Sequence, residues 1–122
     1  MRQVSEVQVY EQYERGNDTI IEIALHYIRA HYQAELSLEK VASVVFLNPV
    51  YFSQLFKQKT GQGFKEYVIH LRMEQAKQML LDPRMKLADI ARRVGYMDVR
   101  HFTQVFRKKY EMTPTAYRQQ SR

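Results

Sequence analysis

The chain repeats itself. Leu38, Ala42 and Val45 recur 49 residues later as Leu87, Ala91 and Val94. Phe52, Gln54, Phe56, Lys59 and Tyr67 recur 50 residues later as Phe102, Gln104, Phe106, Lys109 and Tyr117. Val41/Ile90, Ser53/Thr103, Leu55/Val105 and Lys57/Arg107 are chemically similar pairs in the same alignment. The one-residue change of spacing falls between Val45 and Phe52, where a turn belongs. Two copies of a short helix, a tight turn and a second helix account for this pattern. A solenoid would need three or more repeats.

Periodicity makes the domain all-α. Ile21, Ala24, Leu25 and Ile28 fall on one helical face, as do Leu38, Val41, Ala42 and Val45. Phe64, Tyr67, Val68 and Leu71 repeat the pattern, and so do Leu87, Ile90, Ala91 and Val94. Helix starts are expected at Thr19 (a capping box with Glu22), Ser37, Asn48-Pro49, Asp98 and Thr113-Pro114. Thr60-Gly61 reads as a helix stop, and Asp82-Pro83 ends a long helix that begins near Phe64. Residues 1–18 are acidic and weakly patterned, with Gly16-Asn17 as a break, and read as a linker or stray helix. The expected organisation is 1–18 N-terminal extension, 19–62 first helix-turn-helix subdomain, 63–82 linker helix and 83–122 second subdomain.

In the helix after each turn, one face is apolar: Phe52, Leu55 and Phe56, then Phe102, Val105 and Phe106. The other face carries Val50, Tyr51, Ser53, Gln54 and Lys57 in the first copy, and Val99, Arg100, Thr103, Gln104 and Arg107 in the second. Such side chains supply the donors and acceptors that base edges and phosphates require. Charge agrees. The net charge is +6, but residues 1–39 sum to −4 and residues 40–122 to +10. A folded segment with that bias is expected to meet a polyanion.

In these residues the chain resembles the AraC/XylS family of bacterial transcription regulators, over about 100 residues from Thr19 to Arg118. The first half of the resemblance is Leu36–Ala42, Tyr51–Lys57 and Thr60-Gly61; the second is Ile90–Tyr96, Phe102–Lys108 and Thr113–Arg118. Arg72–Leu81 is similar to the family's linker helix. The resemblance implies seven helices in two helix-turn-helix subdomains. It implies base reading by Val50, Ser53 and Gln54 in the first subdomain, and by Val99, Arg100, His101, Thr103 and Gln104 in the second. Phosphate contact is assigned to Tyr51, Lys57, Arg92, Arg107 and Lys108, with Arg93 and Lys109 as weaker candidates. A linker of roughly 18 residues spans about 27 Å as a helix, comparable with the roughly 34 Å repeat of successive major grooves. The resemblance also implies transcription activation through RNA polymerase. The Asn48-Pro49, Tyr51-Phe52-Ser53 wording resembles the output domains of two-component response regulators. A sensor or receiver domain ahead of residue 1 is therefore expected.

One position departs from the pattern. Phe46 stands where the second turn has Gly95, and a bulky residue is poor at positive φ. The first turn is therefore expected to be shaped differently.

Other functions find less support. The chain has no cysteine, so no disulfide, thiolate zinc site or cysteine nucleophile. It shows no HExxH, GxSxG or P-loop, and its four histidines make no ligand pattern. No enzyme activity, metal or cofactor is expected. No apolar run approaches the roughly 18 residues that span a bilayer, and no signal peptide is seen, so no membrane association and a bacterial cytoplasmic location are expected. The alternative is a non-specific polyanion-binding or protein-interaction helical module.

Overall fold

The computed structural model describes residues 6–121, which form seven helices and no strand. These are α1 (Glu6–His31), α2 (Leu38–Val44), α3 (Pro49–Thr60), α4 (Phe64–Leu80), α5 (Leu87–Arg93), α6 (Val99–Tyr110) and α7 (Pro114–Gln120). They make two compact units: one of residues 6–30 with 36–66, the other of 31–35 with 67–121.

The caps follow the side chains. Ser37 accepts from the Lys40 N–H and starts α2; Asn48 accepts from Val50 and Tyr51 and starts α3. Asp98 accepts from Arg100, and Thr113 from Ala116. Each satisfies a donor that the first turn would otherwise leave orphaned.

In the first unit, Ile21, Ala24 and Ile28 of α1 are buried with Val41, Ala42, Phe52, Leu55, Phe56 and Phe64. The rings of Phe52, Phe56 and Phe64 meet at centroid distances of 5.7–6.3 Å. In the second unit, Met73, Ala76 and Leu80 of α4 are buried with Ile90, Ala91, Val94, Tyr96, Phe102 and Phe106. Phe106 meets Tyr110 at 4.8 Å and Tyr117 at 5.9 Å. Val105, expected in the buried stripe, is half-buried against that core.

The repeat is longer than its sequence discloses. Ile21, Ala24 and Ile28 correspond to Met73, Ala76 and Leu80, 52 residues on. Phe64 and Tyr67, at the start of α4, correspond to Pro114 and Tyr117, at the start of α7. Helix α4 therefore closes the first copy with its N-terminal part and opens the second with its C-terminal part. Expected as a linker helix, it supplies core side chains to each unit.

Two further expectations are corrected. First, α1 begins thirteen residues before Thr19, so Thr19 caps nothing; its hydroxyl donates instead to the Arg15 carbonyl at 3.0 Å. Gly16 and Asn17 lie inside the helix. Their weak propensity, ~1 kcal/mol at glycine, is outweighed by tertiary bonds from this stretch to α3. Second, the two turns share one shape. Phe46 takes φ 59° and Gly95 φ 101°. Leu47 N–H donates to the Ala42 carbonyl at 2.9 Å, and Tyr96 N–H to the Ala91 carbonyl at 2.8 Å. Phe46 bears the left-handed strain with its ring in solvent, 92% exposed.

At Gly95 such a ring has no room. A Cβ there would lie 2.9 Å from the Tyr32 carbonyl oxygen and 3.0 Å from the Arg72 guanidinium. The helix ends trade glycine the other way: α3 stops at Gly61 with φ 80°, and α6 at Glu111 with φ 59°. Each copy thus has two left-handed residues, one of them glycine.

Candidate nucleic-acid interface

Helices α3 and α6 are both twelve residues long and align at a shift of 50 residues. Along α3, Val50, Ser53, Gln54 and Lys57 have i, i+3, i+4, i+7 spacing and share one face. Arg100, Thr103, Gln104 and Arg107 do the same along α6. These faces turn away from the buried phenylalanines. Gln54, Lys57, Arg100, Gln104 and Arg107 are exposed; Ser53 and Thr103 are half-buried at the base of the face.

The apolar candidates separate. Val50 is 67% exposed. Val99 is half-buried and packs on the second core, because it aligns with Pro49 rather than Val50. His101 is exposed, its ring 5.1 Å from that of Tyr96 in an edge-on arrangement. Tyr51 is exposed at the N-terminal end of α3, its hydroxyl bonded to that of Tyr13.

Among the basic candidates, Lys57, Arg93, Arg107 and Lys108 are exposed. Arg92 is exposed but paired with Asp89 of its own helix at 2.8 Å. Lys109 lies 5.8 Å from the Tyr110 ring. The last turn of α6 carries Arg107, Lys108 and Lys109, the sign that a helix C-terminus favours. Among the described residues, no group of three or more histidine, aspartate or glutamate side chains could hold a metal ion.

Supporting residues emerge that charge alone did not reveal. Arg72 donates to the Tyr32 and Ala34 carbonyls, both at 3.0 Å, and its guanidinium lies 5.5 Å from the Tyr96 ring centroid. It braces the turn that precedes α6. Arg118 donates to the carbonyls of Leu80, Asp82 and Met85 at 2.7–3.2 Å, fastening α7 to the connection between α4 and α5. The Tyr110 hydroxyl donates to the Glu74 carboxylate at 2.9 Å, and this bond holds the carboxyl below its ordinary range. Burial, then this bond, pushes the Tyr110 phenol up. In the first unit, Lys59 is ion-paired with Glu14 and Asp18, which raise its pKa. Lys59 was visible in the sequence as a repeat position; its acidic partners, 41 and 45 residues earlier, were not.

A sequence profile described as a helix-turn-helix domain matches residues 41–120. The regulatory protein PocR of Salmonella typhimurium is 45% identical over 104 residues, covering 85% of this chain and 34% of PocR. The chain thus spans about a third of that relative's length. The C-terminal domain of AraT, a response regulator from Geobacillus stearothermophilus, superposes with a TM-score of 0.80 at 35% identity, covering 83% of this chain and 84% of that one. The C-terminal domain of the response regulator yesN from Fusobacterium nucleatum gives 0.77 at 35% identity, covering 80% and 95%.

Proposed function

The chain belongs to the AraC/XylS family of DNA-binding helix-turn-helix transcription regulators, and we propose that it reads its operator by laying α3 and α6 each into a segment of major groove. One observation carries this reading. Two helices with the same N-cap position, the same preceding turn and the same length present the same outward Ser/Thr–Gln pair, Ser53–Gln54 and Thr103–Gln104. Glutamine pairs two-pronged with adenine in the major groove, and Ser or Thr serves either base type. Arg100 adds a fork suited to guanine, Val50 an apolar contact for a thymine methyl, and His101 a further polar edge. Tyr51, Lys57, Arg92, Arg107 and Lys108 meet phosphates. Four cations on phosphates correspond to a slope of roughly −4 in log affinity against log salt.

The domain acts on transcription through RNA polymerase, as an activator. An input segment joined to it, as the description of AraT as a response regulator suggests, supplies the signal. No described helix is long and apolar enough to cross a membrane. Membership of a DNA-binding regulator family supports placing the chain at the bacterial chromosome in the cytoplasm.

Selection of bound sequences from a random duplex pool tests the reading. Two half-sites with distinct preferences are expected, and Gln104→Ala relaxes preference in one of them by about 1–3 kcal/mol. A pool that shows no sequence preference refutes it in favour of a general polyanion binder.

A further inference from the structure

The first recognition helix is gripped near both ends by α1. At its N-terminal end, the Tyr51 hydroxyl shares a hydrogen bond with the Tyr13 hydroxyl, and the Asn17 side chain lies beside both. Asn17 is only 6% exposed. At the C-terminal end, the Lys59 ammonium is paired with Glu14 and, at 2.9 Å, with Asp18. Tyr13/Asn17 and Glu14/Asp18 are two adjacent i, i+4 pairs, so a single stretch of α1 presents both grips to α3.

The second copy is held by other means. The position of Tyr51 is taken by His101, which rests against Tyr96; that of Lys59 is taken by Lys109, beside Tyr110. The grip therefore does not come with the repeated fold and is a property of α1.

Its electrostatics are directional. Lys59 stays protonated, held there by Glu14 and Asp18. Two carboxylates around Lys59 offset both lysines in the last turn of α3, Lys57 and Lys59, so this end is neutral in sum, while the same end of α6 carries three cations. DNA phosphate is drawn more strongly to the second than to the first.

We propose that Tyr13 and Asn17 are positioning residues that fix the first recognition helix through Tyr51, and that Glu14 and Asp18 withhold Lys59 from DNA phosphates. Through these four residues α1 sets how α3 docks and what charge it brings. The inference rests on the DNA-reading role proposed for α3.

Site selection and salt-dependent binding, run on the whole chain, test it. Gln104→Ala first identifies the half-site read by α6. Tyr13→Phe, which removes one hydroxyl, then relaxes preference in the other half-site about two- to tenfold, the range for one hydrogen bond. Preference at the α6 half-site stays unchanged and the thermal midpoint falls by at most a few degrees; Tyr51→Phe relaxes the same half-site without adding to Tyr13→Phe there, and also weakens binding overall through its own phosphate contact. Glu14→Gln with Asp18→Asn frees Lys59 and steepens the salt slope by about one, whereas Lys59→Met leaves the wild-type slope as it is. Unchanged preference in both Tyr→Phe variants overturns the positioning role. A shallower slope in Lys59→Met overturns the withholding. A wild-type chain without sequence preference fails the DNA-reading proposal instead, so the two failures are distinct.

Discussion

Replacing Phe46 by glycine should stabilise the protein, and replacing Gly95 by alanine should destabilise it, although the two turns have the same shape. Phe46 has φ 59° with its ring almost wholly in solvent. Release of the left-handed penalty returns about 1–2 kcal/mol, and glycine's greater freedom in the unfolded chain takes back about 0.5–1. The net gain is about 0.5–1 kcal/mol, which in a unit of this size raises the thermal midpoint by a few degrees. At Gly95, the new Cβ meets a backbone oxygen at 2.9 Å and the Arg72 guanidinium at 3.0 Å, with φ at 101°. Backbone strain of about 1–3 kcal/mol adds to the weakening of Arg72's two charged hydrogen bonds, about 1.5–3 each when lost. Less the entropy gained in the unfolded state, the loss is about 2–4 kcal/mol. Urea unfolding followed by circular dichroism measures both. A Phe46→Gly variant less stable than wild type would mean that the exposed ring makes a contact worth more than the strain. A Gly95→Ala variant within about 0.5 kcal/mol of wild type would mean that the Tyr32–Arg72 cradle yields freely. Either result refutes the account of the turns.

Other outcomes follow from the same geometry. Arg118→Ala leaves three carbonyls without their charged donor and should cost about 2–3 kcal/mol in urea unfolding; Arg118→Lys, lacking the fork, should recover only part of this. Glu74 is held below the ordinary carboxylate range, so its contribution to stability is complete above about pH 4.3 and fades as pH falls through the lowered value. Tyr110→Phe should therefore lower stability at pH 7 by up to about 1 kcal/mol after solvent screening, with the difference from wild type closing as pH falls below the ordinary carboxylate range. Arg107→Ala should weaken binding to all duplexes alike and reduce the salt slope by about 1, read from fluorescence titrations at several salt concentrations.

What was legible in the sequence was local. Asn48, Asp98, Ser37 and Thr113 cap helices because a cap needs only its own side chain and the next two or three N–H groups. The apolar stripes of α3 and α6 were equally readable, since helical spacing alone decides them. What stayed hidden was decided at a distance. Asn17 looks like punctuation until Tyr51, 34 residues away, makes it a buried connector. Arg118 and Arg72 look like solubility charge, because their partners are backbone carbonyls 33–40 residues earlier, which carry no residue identity. The kinship of α1 with α4 was masked by Ile21/Met73 and Ile28/Leu80, where shape changed and burial did not. The first turn misled for another reason: preference at positive φ is a cost and not a prohibition, and a ring that points into solvent adds only about 1–2 kcal/mol of it.

The three cations in the last turn of α6, set against the two in that of α3 that Glu14 and Asp18 offset, bear on the order of events when the protein meets DNA. Attraction that acts before contact reaches about 10 Å at 0.1 M salt. The helix with the larger uncompensated charge dominates the encounter rate, while short-range base contacts at both helices decide how long the complex lives. In the DNA-reading proposed above, the second unit therefore leads the encounter. Raising the salt then slows arrival through α6 more than it shortens the dwell time set by base contacts at both helices.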